Sequence, residues 1–180
     1  MTIEKLEELM LYISHKSHDD ETFSSTKLNK LLFIADFYAY GIWEKSITGT
    51  KYVRRQFGPV PSEVLIAQDK LIANGKAKIE ERSYFERTQK RLVPLANPDL
   101  TLFSTEEIHL IHAVMDECKP LNATQLSDWT HKLRPWLDSA DGEELPYYTI
   151  FVLREVPVSY DDITWAQSKL KELTGMDYAS

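Results

Sequence analysis

Cysteine occurs once in the sequence, at Cys118, which excludes an internal disulfide. No apolar run approaches the ~20 residues that a membrane-spanning helix needs, and the N-terminus is acidic and helical in pattern where a secretory signal is basic and then continuously apolar. The expected compartment is the cytoplasm, without membrane association. Also missing are a Gly-rich phosphate loop, a nucleophile elbow, paired zinc ligands and a Cys–His pairing of recognisable context, so neither catalysis nor a cofactor is expected. Positive charge is scarce too. The 21 Lys and Arg stand against 28 Asp and Glu, and a net charge of -7 speaks against nonspecific nucleic-acid binding by the whole molecule.

What basic charge there is concentrates in the middle. Residues 51–91 hold ten Lys or Arg against five acids, whereas residues 92–180 hold six against fifteen. With 180 residues and 43% hydrophobic content, one domain over 1–180 is expected, because folding at this size buries roughly 70% of the unfolded surface. The patterning predicts an α+β, predominantly α-helical architecture: about six helices with a small antiparallel sheet or hairpin.

Ile3, Leu6, Leu9, Met10 and Ile13 mark a first amphipathic helix, with Glu4, Glu7 and Glu8 near its positive end. After a polar loop at His15–Glu21, read as solvated rather than metal-binding, Ser24 or Ser25 caps a second helix. Leu28, Leu31, Leu32, Ala35, Tyr38 and Ala39 share its apolar face, Lys27, Lys30 and Asp36 fall on its polar side, and Gly41 is the expected C-cap. Tyr52–Phe57 is a strand candidate with exposed arginines. Phe57-Gly58-Pro59-Val60-Pro61 forms a rigid corner, because two prolines fix φ and bias their predecessors toward extended backbone. A helix over Pro61–Ala73, with Val64, Leu65, Leu71 and Ile72 apolar, follows and stops at Asn74-Gly75.

Ala77–Ser83 and Lys90–Leu95 read as two strands joined by a polar turn around Phe85–Thr88, able to form one sheet with Tyr52–Phe57. Ser104 with Glu107 makes a capping box for a helix through Cys118, on which His109, His112 and Asp116 are read as a hydrated surface rather than a metal site. Asn122 with Gln125 caps a helix that carries Leu126, Trp129 and Leu133 and ends at Pro135; His131 near Trp136 is expected to make a structural hydrogen bond. Tyr147–Leu153 is the most β-rich run, and a last helix from Ser159, with Ile163, Ala166 and Leu170 inward, stops at Gly175.

The order and spacing of Lys27-Leu28-Asn29-Lys30-Leu31-Leu32, Asp36-Phe37-Tyr38, Ile47-Thr48-Gly49, Phe57-Gly58-Pro59-Val60-Pro61 and Leu126–His131 ending in Pro135-Trp136 resemble the SocA-like Panacea domain of bacterial and phage toxin–antitoxin pairs. The blocks span residues 27–136, leaving 137–180 as a C-terminal extension packed on them. The resemblance implies an antitoxin that binds a cognate protein toxin, encoded beside it, by direct contact; some members instead hand the toxin to a AAA+ protease.

Within the blocks Leu31, Leu32, Gly58, Pro59 and Val60 have structural roles by burial or conformation, as do His131 and Trp136. Tyr38, Tyr52, Arg54, Arg55 and Phe57 are the candidate partner-binding residues, since aromatic and Arg side chains dominate interface hot spots. Truncating Arg55 or Tyr52 is expected to weaken binding with little loss of stability. The alternative is a winged-helix-like DNA-binding regulator using the basic hairpin 76–91, although Glu80, Glu81 and Glu86 interrupt it.

Overall fold

The computed structural model describes residues 3–84, 87–151 and 159–174. Along the chain come α1 (Ile3–Lys16), α2 (Ser25–Trp43), β1 (Tyr52–Val53), β2 (Val60–Pro61), α3 (Val64–Ala73), β3 (Ala77–Tyr84), β4 (Arg87–Pro94), α4 (Thr105–Cys118), α5 (Ala123–Thr130), α6 (Arg134–Leu137) and α7 (Tyr160–Thr174), with 3-10 turns at Leu100–Leu102 and Tyr147–Phe151. The architecture is α+β and mostly helical, with seven α-helices among the described residues.

α2 is the axis of the fold. It packs against α1, α4, α5, β2, β4 and the second 3-10 turn, so neighbours surround it rather than covering one stripe. Consequently Lys27, Lys30 and Asp36, expected on a solvated side, are buried together with Leu28, Leu31, Leu32 and Phe33. Tyr38, on the apolar face of the helix and a candidate contact residue, is 41% exposed. Ser24 caps the helix by accepting from the Lys27 amide, but the helix runs past Gly41 to Trp43 and ends on Glu44 at φ 54. Gly41 lies within the helix against Ile150, where a Cβ would make an ordinary van der Waals contact at 3.6 Å.

Asp36 anchors the segment after α2. Its carboxylate accepts from the Thr48 amide at 2.8 Å, the Thr48 hydroxyl at 2.5 Å and the Tyr52 hydroxyl at 2.8 Å. Burial raises its pKa against those hydrogen bonds. Ile47-Thr48-Gly49 is thus a docking turn for a buried acid.

β1 pairs with β2, Tyr52 opposite Pro61 and Val53 opposite Val60, and β3 pairs with β4 from Ala77–Pro94 to Tyr84–Arg87. These are two separate sheets, not one. The strand expected over Tyr52–Phe57 shortens to two residues because Arg55 and Gly58 exchange backbone hydrogen bonds and turn the chain back. The turn makes Val60-Pro61 a strand, so α3 begins at Val64 rather than at the proline, and it buries Ala67 and Leu71 while Leu65 and Ile72 stay exposed. Residues 142–145 run beside β1 through Gly142–Arg54, Arg54–Glu143 and Leu145–Tyr52 hydrogen bonds.

Both capping boxes form, Ser104 with Glu107 and Asn122 with Gln125. Pro135 does not end α5; it sits in the first turn of α6, where a missing N–H costs nothing. Tyr147–Phe151 is a 3-10 turn instead of a strand, because Tyr147 stacks on Tyr40 and Phe37 and donates its hydroxyl to the Thr50 carbonyl at 2.6 Å. Val152 and Leu153 of that run lie outside the described residues, as do Phe85, Glu86 and Gly175. On α7, Ile163 and Ala166 are exposed rather than inward; the side chain of Leu170 is not described.

Candidate partner-binding site

Gly58 stands at φ +101, a region that L side chains rarely adopt. Space demands glycine as well, since a Cβ would lie 2.6 Å from Lys30 Cε and 2.9 Å from the Thr130 hydroxyl. The corner is therefore pressed directly onto α2 and α5. Lys30 Nζ donates to the Pro59 carbonyl at 3.2 Å, the Ser127 hydroxyl donates to the Phe57 carbonyl at 3.0 Å, and the Thr130 hydroxyl closes back on the Ser127 carbonyl at 3.0 Å.

Beside the corner lies a stack. The Arg54 guanidinium sits 3.7 Å over the Trp136 ring and donates to the carbonyls of Trp136, at 3.0 Å, and Ser139. His131 stacks on Trp136 with ring centroids 4.1 Å apart and an interplanar angle of 22°. The contact between the two rings is a stack and not a hydrogen bond, because parallel rings point their N–H groups sideways rather than at one another. His131 Nε2, Arg134 Nε and Trp136 Nε1 are buried and have no hydrogen-bond partner among the described residues.

The electrostatics follow from burial. Lys30 is 1% exposed with one carbonyl acceptor, and its pKa falls to about 7 because its charge is desolvated. His131 is shifted down by burial and then by the charges of Lys30 and Arg54. None of Lys30, Arg54 and Arg55 forms an ion pair among the described residues, whereas Lys5, Lys27, Lys51, Lys70 and Lys76 all do.

Of the five candidate contact residues, the structure brings together Arg54, Arg55 and Phe57. Arg55 is exposed and Phe57 is 65% exposed, held on a fixed backbone turn. Tyr52 is 0% exposed and stacks edge-on against Phe33 and Phe37, so it is core and offers no surface. Tyr38 lies apart, on the rim of a cavity of about 470 Å³ between α2, α4 and α5 that Ile34, Leu110, Val114, Leu126 and Trp129 line. Cys118 also borders that cavity, its thiol pushed up to about 11 by burial. Sequence reasoning missed Lys30, Ser127 and Thr130 as supports of the corner; the signal available was the glycine, which implied that something approached closely.

Elsewhere, His112 is ring-stacked on Tyr12 and bonded to its hydroxyl. No group of three or more His, Cys, Asp or Glu among the described residues is placed to hold a metal ion. No helix among them is long and apolar enough to cross a membrane. The hairpin's cations are largely occupied: Lys76 pairs with Glu8, Lys78 and Arg82 with Glu80, and Lys90 with Glu81, while Arg91 is buried on the carbonyls of Ser17, His18 and Asp20.

The family described as "Antitoxin SocA-like, Panacea domain" matches residues 28–137. No curated protein and no solved structure matches the chain.

Proposed function

Because the chain belongs to the SocA-like Panacea family of antitoxin domains, we propose that it neutralises a cognate protein toxin by direct contact, through the corner at Arg54–Phe57. The observation that carries the surface assignment is Phe57, a large apolar side chain 65% exposed beside Arg55 on a backbone held by Ser127, Lys30 and Gly58. An anchor already fixed in place loses little entropy on binding. The protein acts by occupying the toxin, not by catalysis, in the cytoplasm. The hairpin is a weak phosphate-binding surface, since four of its cations are neutralised by carboxylates and Arg91 is inside.

Co-expression with the product of the adjacent reading frame tests the reading. Growth rescue with a stable complex is expected. Rescue accompanied by loss of the partner protein would support delivery to a AAA+ protease instead, and a neighbour that is harmless and does not co-purify would overturn the reading.

A further inference from the structure

A protein of net charge -7 has carboxylates to spare, and among the described residues at least ten Lys and Arg side chains find one. The cations of the corner do not. Arg54 is bonded only to carbonyls, Lys30 to a single carbonyl, and the exposed Arg55 side chain has no polar partner among the described residues, its Nη1 lying 3.4 Å from the Cβ position of Gly142. The acids on neighbouring segments are engaged elsewhere: Glu144 with Lys51, Glu143 with the Ala140 amide, Asp138 with Arg134. Asp128 and Asp141 are exposed and make no ion pair with the three cations. Beneath them, the N–H donors Trp136 Nε1 and Arg134 Nε are buried without an acceptor among the described residues.

We propose that this corner is the seat for an acidic segment of the partner protein, in which an Asp or Glu carboxylate pairs with Arg55 and a neighbouring apolar side chain packs on Phe57. The inference rests on the corner being the contact surface and adds the chemistry of what it contacts. Arg suits the role because its planar fork binds a carboxylate through two parallel hydrogen bonds. Arg54 is locked over Trp136 and supplies a fixed second charge rather than a moving one. Electrostatic complementarity of this kind selects partners and speeds encounter.

The test is selection of random displayed peptides on the immobilised full-length chain, followed by binding of the enriched peptides to wild type, Arg55→Glu and Phe57→Ala. Enrichment of peptides with Asp or Glu beside an apolar residue is expected, with a loss of about tenfold or more in affinity for each variant. Melting curves of the variants should match wild type, since neither side chain is hydrogen-bonded or ion-paired among the described residues. Enrichment of neutral or basic peptides, failure to enrich any, or acidic peptides that bind Arg55→Glu as well as wild type would each overturn the proposal. The outcome separates from that of growth rescue: acidic peptides on the corner without rescue leave this site standing and remove the toxin, whereas rescue without them removes the site.

Discussion

Lys27 and Lys30 lie three residues apart on α2, are each 1% exposed, and have solved the problem of a buried charge in opposite ways. Lys27 Nζ meets the Asp20 carboxylate at 2.8 Å, the Thr22 hydroxyl at 3.0 Å and the Lys119 carbonyl at 3.3 Å. Burial alone would push the Asp20 carboxyl up, but hydrogen bonds from Lys27 and Thr22 outweigh it and leave it below its usual range. Lys30 has one carbonyl and no acid among the described residues. A buried charge with a matched counter-ion is a clamp; one without is a cost that the surrounding structure must bear. The Lys27 end of α2 is finished internally, whereas the Lys30 end, under the corner, is left with a buried amine that has no counter-ion among the described residues.

Four substitutions put that contrast to the test. Lys27→Met should have the largest effect, a loss of about 3 kcal/mol, because it leaves the Asp20 carboxylate without its cation; chemical denaturation measures it. Gly58→Ala should cost about 2 kcal/mol from its positive φ and from displacement of Lys30 and Thr130, seen as a lower Tm. Lys30→Met should move the other way. Folded Lys30 titrates near 7 against 10.5 in the unfolded chain, so between those values the unfolded chain holds a proton that the folded chain has lost, and stability rises with pH. Below that window both forms are charged and the full penalty stays. Lys30→Met should therefore gain about 1 kcal/mol on the acid side of the window, and the gain should shrink as pH rises toward 10.5, in melting curves recorded across pH. Arg55→Ala should change stability by less than about 0.5 kcal/mol, as a surface substitution with no bonded partner among the described residues.

What could be read in the sequence was whatever is decided within a few residues. The Ser104 and Asn122 capping boxes, the Ser24 cap, the Gly75 stop at φ +68 and the β3–β4 pairing all formed from local chemistry. The family blocks could be read too, because the order of short motifs survives without knowing their contacts. Lys27, Lys30 and Asp36 could not, since periodicity assigns charged residues to the outside, and their partners come from distant segments: Lys119, Pro59 and the Thr48 turn. Tyr147–Phe151 failed for a related reason, its β propensity giving way to stacking on Tyr40 and Phe37. Of the candidate site, the corner and its arginines could be recognised from composition, but separating exposed Phe57 from buried Tyr52 required the fold.

The most direct measurement is the affinity of Phe57→Ala for the toxin recovered by growth rescue, taken together with its Tm. A Kd weakened by about thirtyfold or more, as expected for loss of a hot-spot side chain, with an unchanged Tm, is the predicted result. Wild-type affinity with Phe57 removed would place the contact elsewhere on the molecule and contradict the account.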